Sequence, residues 1–196
     1  ADQLSQRSPH RFLVENLAGA NGGIGTAAVA NAKPDGHTLL IASPGTLLVN
    51  PQIYRGVRYR LSSFEPVIAL SNFTNLVVVS PRLGVNNATE LVALAKQQPG
   101  KLNFGSSGHG NLGHFAGEMF KANTGIDIVH VPYKGGNEAM MGLLGGSIDI
   151  LFPSVNEAQS HVASGKAKAI GVMAEHRTAL MPDVPTLREQ GIVNTE

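Results

Sequence analysis

The chain has 196 residues, no cysteine and no tryptophan, and its 15 lysines and arginines against 14 acidic residues give a formal net charge of +1. This near-neutral charge, with only 15% charged residues, argues against binding nucleic acid through a basic surface. The lack of cysteine excludes disulfides, zinc–thiolate sites and a cysteine nucleophile, and 42% hydrophobic residues exclude overall disorder. No apolar run reaches the roughly 18 residues of a membrane span, and no signal peptide is visible at Ala1.

The first half of the chain alternates short apolar runs with amphipathic ones, and many of its turns contain glycine. This pattern is typical of an α/β protein. The predicted strands are residues 11–17, 37–42, 64–70 and 75–80. The predicted helices are residues 25–32, a short helix over 47–50, and a helix that begins after Asn87 and is capped by Asn87 and Glu90.

The second half repeats the alternation more regularly. The predicted strands are residues 102–105, 126–131, 148–152 and 167–173. The predicted helices are residues 111–123, 137–144, and a third that begins with the capping box of Ser154 and Glu157. Such alternation predicts parallel βαβ units. The break near residues 99–101 is the predicted domain boundary, with a first α/β lobe over 1–101 and a second over 102–174.

Four loops combine glycine with small polar residues, and each follows a predicted strand and precedes a predicted helix: 21–26, 43–46, 106–111 and 133–137. Ser154 begins a fifth position of this kind. A helix start has unpaired N–H groups and a partial positive charge, and glycine lets a ligand approach the backbone. Taken singly these loops are ordinary helix caps. Together, at the same ends of parallel strands, they predict an anion-binding cleft.

A dinucleotide-binding enzyme is the alternative, because Gly108, Gly110 and Gly113 match the pattern G-x-G-x-x-G between a strand and a helix. The acidic residue expected about 20 positions later would be Asp127. Asp127 comes at the start of the next predicted strand, whereas a ribose-binding acid belongs at its end. The sequence therefore favours the anion-binding loops over a Rossmann-like site.

No complete catalytic motif is present. Ser106 and Ser107 lie near His109 and His114 in sequence, which leaves a nucleophile and base as one interpretation. On a helix, the five-residue spacing of the two histidines would separate them by about 140°, which is unsuited to a shared metal ion. We therefore predict no metal site, and we expect His114 to be a hydrogen-bonded structural residue.

Several longer segments of the sequence resemble the Bug family, the periplasmic solute-binding receptors of tripartite tricarboxylate transporters. The resemblance covers nearly the whole chain in order. The matching segments are VENLAGANGGIGT (14–26), AKPDGHTLLIASPGTLLVNPQIY (32–54), LVALAKQQPGKLNFGSSGHG (91–110), HFAGEMFKANTGIDIVHVPYKGG (114–136), LLGGSIDILF (143–152) and LMPDVPTLREQG (180–191).

The resemblance implies a two-lobe Venus-flytrap receptor that closes on a small carboxylate, without catalysis and without a cofactor. It also implies a periplasmic location and the membrane components of the transporter as partners. Carried over by position, the ligand contacts are Ser43, Gly45, Thr46, Ser106, Ser107, Gly108, Gly110, Asn111, Lys134, Gly135, Gly136 and Ser154 in the loop after Phe152.

The sequence departs from the family pattern at two places in the expected site. The family often has threonine where Asn111 stands, and a polar acid–amide pair where Pro153 and Ser154 stand, so the ligand class is left open. Compared with the family, the chain also looks short at both ends. The first lobe is therefore expected to be incomplete, with residues 175–196 returning to it.

Overall fold

The structure, a computed structural model, describes residues 1–70 and 74–195 and divides into two units, Ala1–Pro66 and Val67–Glu196. Among the described residues, no helix has both the length and the apolar character needed to cross a membrane.

The first unit consists of short helices joined by irregular chain. Its helical segments are α1 (Asp2–Arg7), α2 (Gly23–Ala30), a π-helical turn (Gly45–Val49), α3 (Asn50–Ile53) and two 3-10 turns, Ala20–Gly22 and Leu61–Ser63. The strands predicted over 11–17, 37–42 and 64–70 are wrong, because these segments have no strand structure. A strand is held by hydrogen bonds to a neighbouring strand, and these segments have none in the described chain. Their apolar side chains are largely exposed, with Leu13 at 81% and Ile41 at 84%.

The second unit is built on one mixed five-stranded sheet with the order β3-β2-β4-β1-β5. The strands are β1 (Asn75–Val79), β2 (Asn103–Ser106), β3 (Val129–Pro132), β4 (Ile150–Leu151) and β5 (Lys168–Met173). The helices are α4 (Ala88–Gln97), α5 (Leu112–Thr124), α6 (Gly136–Gly145) and α7 (Val155–Ala163). β2 pairs in parallel with β3 and β4, whereas β1 is antiparallel to both of its neighbours, β4 and β5.

The run of apolar residues in β1 is explained by burial on both faces of the sheet. Val77 and Val79 point into a core that also contains Leu91 of α4 and Phe120 of α5. The alternate residues Leu76 and Val78 point into a second core, formed with residues of α6 and α7. The sheet therefore lies between two layers of helices.

Most elements predicted in the second half are confirmed, and so are the two helix starts predicted from their caps, one in each half. The Asn87 side chain accepts a hydrogen bond from the Glu90 amide at 2.8 Å, and Ser154 and Glu157 form a capping box. The prediction of purely parallel pairing is wrong for β1. A continuous apolar strand has the same sequence pattern in either direction, so the sequence did not distinguish the two.

The two compact units divide between Pro66 and Val67, and the lobe boundary near residues 99–101 stays a prediction. β1 and α4 precede that boundary, yet both belong to the sheet and core of the second unit. Within residues 175–195, the segment around Leu187 packs on β5. The return of residues 175–196 to the first lobe stays a prediction, and Glu196 lies outside the described residues. Leu187 donates its N–H to the Val172 carbonyl at 2.9 Å, and its side chain is buried in the core.

The last segment of the second unit contains an ion pair between the side chains of Arg177 and Glu189. Arg177 donates to both carboxylate oxygens of Glu189 through Nε at 3.0 Å, and to Oε1 through Nη2 at 2.9 Å. Glu189 also accepts the Thr186 N–H at 2.6 Å. These hydrogen bonds, led by those from Arg177, lower the pKa of Glu189 to about 2. The carboxylate thus ties Arg177 to the turn at Thr186.

This pair predicts an unusual acid titration. A lowered pKa means that the stabilisation is complete above the ordinary value of 4.5 and is lost as the pH falls towards 2. The chemical shift of the Thr186 amide proton should therefore titrate with a midpoint near 2. In Arg177→Gln the midpoint should rise towards the ordinary value. NMR titration of the amide checks both, and an ordinary midpoint in the unaltered chain would contradict the prediction.

A second prediction concerns the packing of α5 on β2. A Cβ at Gly117 would overlap the Phe104 ring, lying 2.6 Å from Phe104 Cδ2. Gly117→Ala should therefore lower the free energy of unfolding by about 1–3 kcal/mol. Gly145→Ala, at the exposed end of α6, is the matched control, because a Cβ there meets no atom within 4 Å.

The control change should be neutral or stabilising by up to about 1 kcal/mol, since alanine favours a helix more than glycine does. Urea denaturation followed by circular dichroism measures both variants. Equal stability of the two would show that the Phe104 contact is less tight than described.

Candidate functional site

In the second unit, three helix starts meet at one edge of the sheet. β3, β2 and β4 are mutually parallel, so their carboxyl ends lie at the same edge. From that edge the chain continues into α5, α6 and α7. The N-cap residues of these helices are Asn111, Gly135 and Ser154. The predicted convergence of the second-half loops is therefore present in the geometry.

The 106–111 loop is held by its own polar atoms. Ser106 is buried, and its Oγ donates to the Gly108 carbonyl at 2.9 Å and accepts the Gly108 N–H at 3.2 Å. The Asn111 side chain caps α5 by accepting the His114 N–H at 2.9 Å. Its amide group also donates to Ser107 Oγ at 2.7 Å. Gly108 and Gly110 have positive φ angles of 129° and 76°, which favour glycine.

Ser107 differs from Ser106 because it is exposed. Its Oγ accepts the hydrogen bond from Asn111, so the hydroxyl proton is directed elsewhere and is suited to donate to a ligand. Ser106 therefore shapes the loop, whereas Ser107 presents a donor at its surface.

The helices α6 and α7 already have carboxylates at their starts. Ser154 N–H and Oγ–H both donate to Glu157 Oε2 at 2.9 Å, so Ser154 is occupied by its own capping box. Lys134 N–H donates to Glu138 at 3.3 Å, and the Lys134 side chain is exposed. α5 has no acidic residue in its first turn. Of the three helix starts, that of α5 is thus best suited to an external anion.

The 133–137 loop is positioned by two glycines that leave room for other side chains. A Cβ at Gly142 in α6 would lie 2.7 Å from Tyr133 Cζ, so the Tyr133 ring packs directly on the helix backbone. A Cβ at Gly136 would lie 2.7 Å from Glu157 Oε1, which brings the Glu157 carboxylate beside the start of α6. Gly135, by contrast, has open space around it.

In the first unit, the structure brings the 21–26 and 43–46 loops together. Thr46 is buried, and its Oγ1 donates to the Asn21 carbonyl at 3.2 Å and lies 3.3 Å from Ser43 Oγ. Gly45 is also buried, at the start of the π-helical turn. The Thr46 hydroxyl therefore joins the two loops.

Two residues that the sequence analysis did not single out complete this cluster. Tyr59 OH donates to the Thr46 carbonyl at 2.9 Å, and Asn50 Nδ2 donates to the Asn21 carbonyl at 3.0 Å. Asn50 and Tyr59 are both buried. Asn50 ends the short predicted helix over 47–50, and Tyr59 lies in a stretch for which no helix or strand was predicted. The sequence pattern therefore gave no sign that either residue belongs to this cluster.

Beside the 106–111 loop, the structure assembles three histidines. His109 is in the loop, His114 in the first turn of α5, and His130 on β3. The His114 and His130 rings are stacked with centroids 3.9 Å apart, and His109 lies edge-on to both, at 5.6 and 5.1 Å. The expectation that His109 and His114 point far apart is wrong, because α5 begins only at Leu112 and helical spacing does not apply to His109.

The surroundings of this cluster keep two of its rings neutral. Burial, followed by the neighbouring His114 and His109, lowers the pKa of His130 to about 4. Burial also lowers the pKa of His114, partly offset by Glu118. His114 is hydrogen-bonded as expected, with its Nδ1 accepting the Gly110 N–H at 3.0 Å.

Ser106 and His130 are in contact, but the arrangement differs from a nucleophile and its base. The distance from Ser106 Oγ to His130 Nε2 is 2.7 Å. Since the hydroxyl proton is donated to Gly108, the ring nitrogen is the donor to Ser106. A base is also oriented by an acid in such sites, and no carboxylate contributes to the pKa of His130.

The geometry also disfavours the dinucleotide site. Gly108, Gly110 and Gly113 do lie between β2 and α5, as that interpretation requires. Asp127, however, precedes β3, and β3 is parallel to β2. The carboxylate is therefore at the opposite edge of the sheet from the glycine loop, out of reach of a ribose bound there.

Comparison with known proteins is decisive about the family. The model of the tripartite tricarboxylate transporter family receptor matches residues 1–196. The chain belongs to this family. The predicted Bug resemblance is thereby confirmed, and the protein BugT of Bordetella pertussis is 33% identical over 181 residues, covering 91% of this chain and 56% of BugT.

Solved structures agree with the fold. "R. palustris Rpa4515 with adipate" superposes with a TM-score of 0.86 at 30% identity, covering 99% of this chain and 65% of that one. MatC from Rhodopseudomonas palustris with bound malate gives a TM-score of 0.79 at 28% identity, covering 91% and 61%. The α/β fold is thus that of periplasmic binding proteins. The chain spans 56–59% of the length of the first curated relatives that it matches.

Proposed function

We propose that this protein is a periplasmic solute-binding receptor that captures a small carboxylate for a tripartite tricarboxylate transporter. The observation that carries the proposal is the start of α5, which follows a glycine loop at the shared edge of three parallel strands and has no acid of its own. The neighbouring starts of α6 and α7 have their own glutamates. A carboxylate would therefore bind at α5, through small neutral donors.

The composition of the loops supports binding of the carboxylate mainly through uncharged groups of the protein. The loops 21–26, 43–46, 106–111 and 133–137 contain no arginine, and Lys134 is their only lysine. A helix start with glycine and serine can bind an anion without a charged side chain. The contacts that we propose in this unit are Ser107, Gly108, Gly110, Asn111, Lys134, Gly135 and Gly136, with Ser106 shaping the loop and Ser154 held by Glu157.

The bound relatives point to the same ligand chemistry. Adipate and malate, named in two of the similar structures, both carry two carboxylates. We infer that this chain takes a ligand of that class. In the first unit, Ser43, Gly45 and Thr46 stay predicted contacts that rest on the family resemblance.

This proposal predicts that the protein binds a dicarboxylate more tightly than the corresponding uncharged diamide. Adipate or malate should bind the chain saturably, and adipamide, which keeps the shape of adipate without its charge, should bind at least about tenfold more weakly. The reason is that hydrogen bonds to a charged group contribute roughly 1.5–3 kcal/mol, or about one to two orders of magnitude in affinity. Isothermal titration calorimetry of the 196-residue chain measures the three ligands.

Ser107→Ala should bind adipate at least about tenfold more weakly than the unaltered chain does. Its free energy of unfolding should be unchanged, because Ser107 is exposed. Ser160→Ala, an exposed serine on α7, is the matched control and should bind like the unaltered chain. Equal affinity for adipate and adipamide, or no loss in Ser107→Ala, would refute the anion site. Hydrolysis of a model ester that Ser106→Ala abolishes would instead favour an enzyme.

A further inference from the structure

The three histidines beside the 106–111 loop form the one group of potential metal ligands found in residues 1–70 and 74–195. One ring nitrogen from each of His109, His114 and His130 lies within 4.8 Å of the others. In a tetrahedral site with Zn–N bonds of about 2.0–2.1 Å, the nitrogens are roughly 3.3 Å apart. The ring nitrogens therefore need to approach one another by about 1.5 Å at most, which requires the rings to rotate about their side-chain bonds.

Each histidine comes from a different element, so the cluster depends on the fold rather than on local sequence. His130 lies on β3 opposite Phe104 of β2, in the parallel register that also pairs Ser106 with Pro132. His114 lies over the same Phe104 ring, with centroids 6.4 Å apart. The Phe104 ring thus packs against two of the three histidines, His114 and His130.

The hydrogen bonds decide which lone pairs a metal ion could use. His130 donates from Nε2 to Ser106, so its Nδ1 holds the lone pair. A metal-binding histidine commonly uses its second nitrogen in this way, to donate to a fixed oxygen. Two of the rings are neutral near pH 7 because burial lowers their pKa values, and neutral imidazole is the form that binds metals.

From this geometry we propose that His109, His114 and His130 bind a divalent transition-metal ion of the type that prefers imidazole, such as Zn²⁺. Three histidines leave a fourth coordination position open. Imidazole nitrogen favours Zn²⁺, Ni²⁺ and Cu²⁺ over the oxygen-seeking Mg²⁺ and Ca²⁺. None of the three histidines is among the proposed carboxylate contacts, although the cluster lies beside the 106–111 loop that carries several of them.

Metal binding has a structural consequence at Gly110. A neutral imidazole has one lone pair, and in His114 the Gly110 N–H occupies it. Whichever nitrogen of His114 binds the metal, Gly110 N–H loses that acceptor. The stacked His114 and His130 rings, inclined by 20°, must also turn relative to each other, because each lone pair lies in the plane of its ring. The ion should therefore rearrange the 106–111 loop.

The test is titration of the 196-residue chain with Zn²⁺ alone at pH 7.5, by calorimetry in a buffer that does not bind metals. We expect one equivalent to bind saturably and Mg²⁺ not to compete. His109→Ala should weaken Zn²⁺ binding at least about tenfold, since even a residue that only hydrogen-bonds to a ligand changes affinity by about 10–100-fold. His176→Ala is the matched control, because His176 is also exposed and belongs to the same unit.

His109→Ala is the deciding variant because an exposed side chain contributes little to folding, which circular dichroism verifies. As a second measurement, Zn²⁺ should shift the Gly110 amide resonance in the unaltered chain and leave it in place in His109→Ala. The proposal is overturned if His109→Ala binds Zn²⁺ as tightly as His176→Ala does, if no saturable binding is found, or if the Gly110 resonance does not move. Binding that persists in His109→Ala would come from other histidines, such as the His10 and His37 pair.

Discussion

The parallel pairing of β2 with β3 and β4 is the constraint on which the candidate site depends. Because these three strands run in the same direction, their carboxyl ends and the helices that follow them share one edge of the sheet. The pairing brings together residues that are far apart in sequence, such as Ser106 and His130. Reversing any of the three strands would move one helix start to the opposite edge. The antiparallel β1 does not disturb this arrangement, because it joins the sheet on the far side of β4.

Within that edge, most polar atoms are committed to holding the loops. The hydroxyl of Ser106 and the side-chain amide of Asn111 serve the loop, and Glu157 serves Ser154. Internal hydrogen bonds of this kind fix a loop before a ligand arrives, which reduces the conformational entropy lost on binding. The groups left for a ligand include the exposed Ser107 hydroxyl and the backbone at Gly135, which has open space around it.

The sequence predicted the second unit well and the first unit poorly, for a physical reason. Apolar periodicity shows which residues need burial, and in the second unit those residues find partners in the same stretch of chain. The segments 11–17 and 37–42 have the composition of strands, but a strand exists only when another pairs with it. Helix caps such as Asn87 were predictable because the cap and its partner are three residues apart. The histidine cluster was not, because His130 reaches it through strand register.

The contact between Tyr133 and Gly142 has a consequence for protein engineering. The Tyr133 ring rests on the backbone of α6 at a point where any side chain would displace it. An engineer who transfers the 133–137 loop to another protein therefore has to transfer the middle of α6 with it. Grafting this loop onto another receptor of the same fold would require glycine at the position that faces the ring, and a library that varies the loop alone would sample only conformations that this one glycine permits.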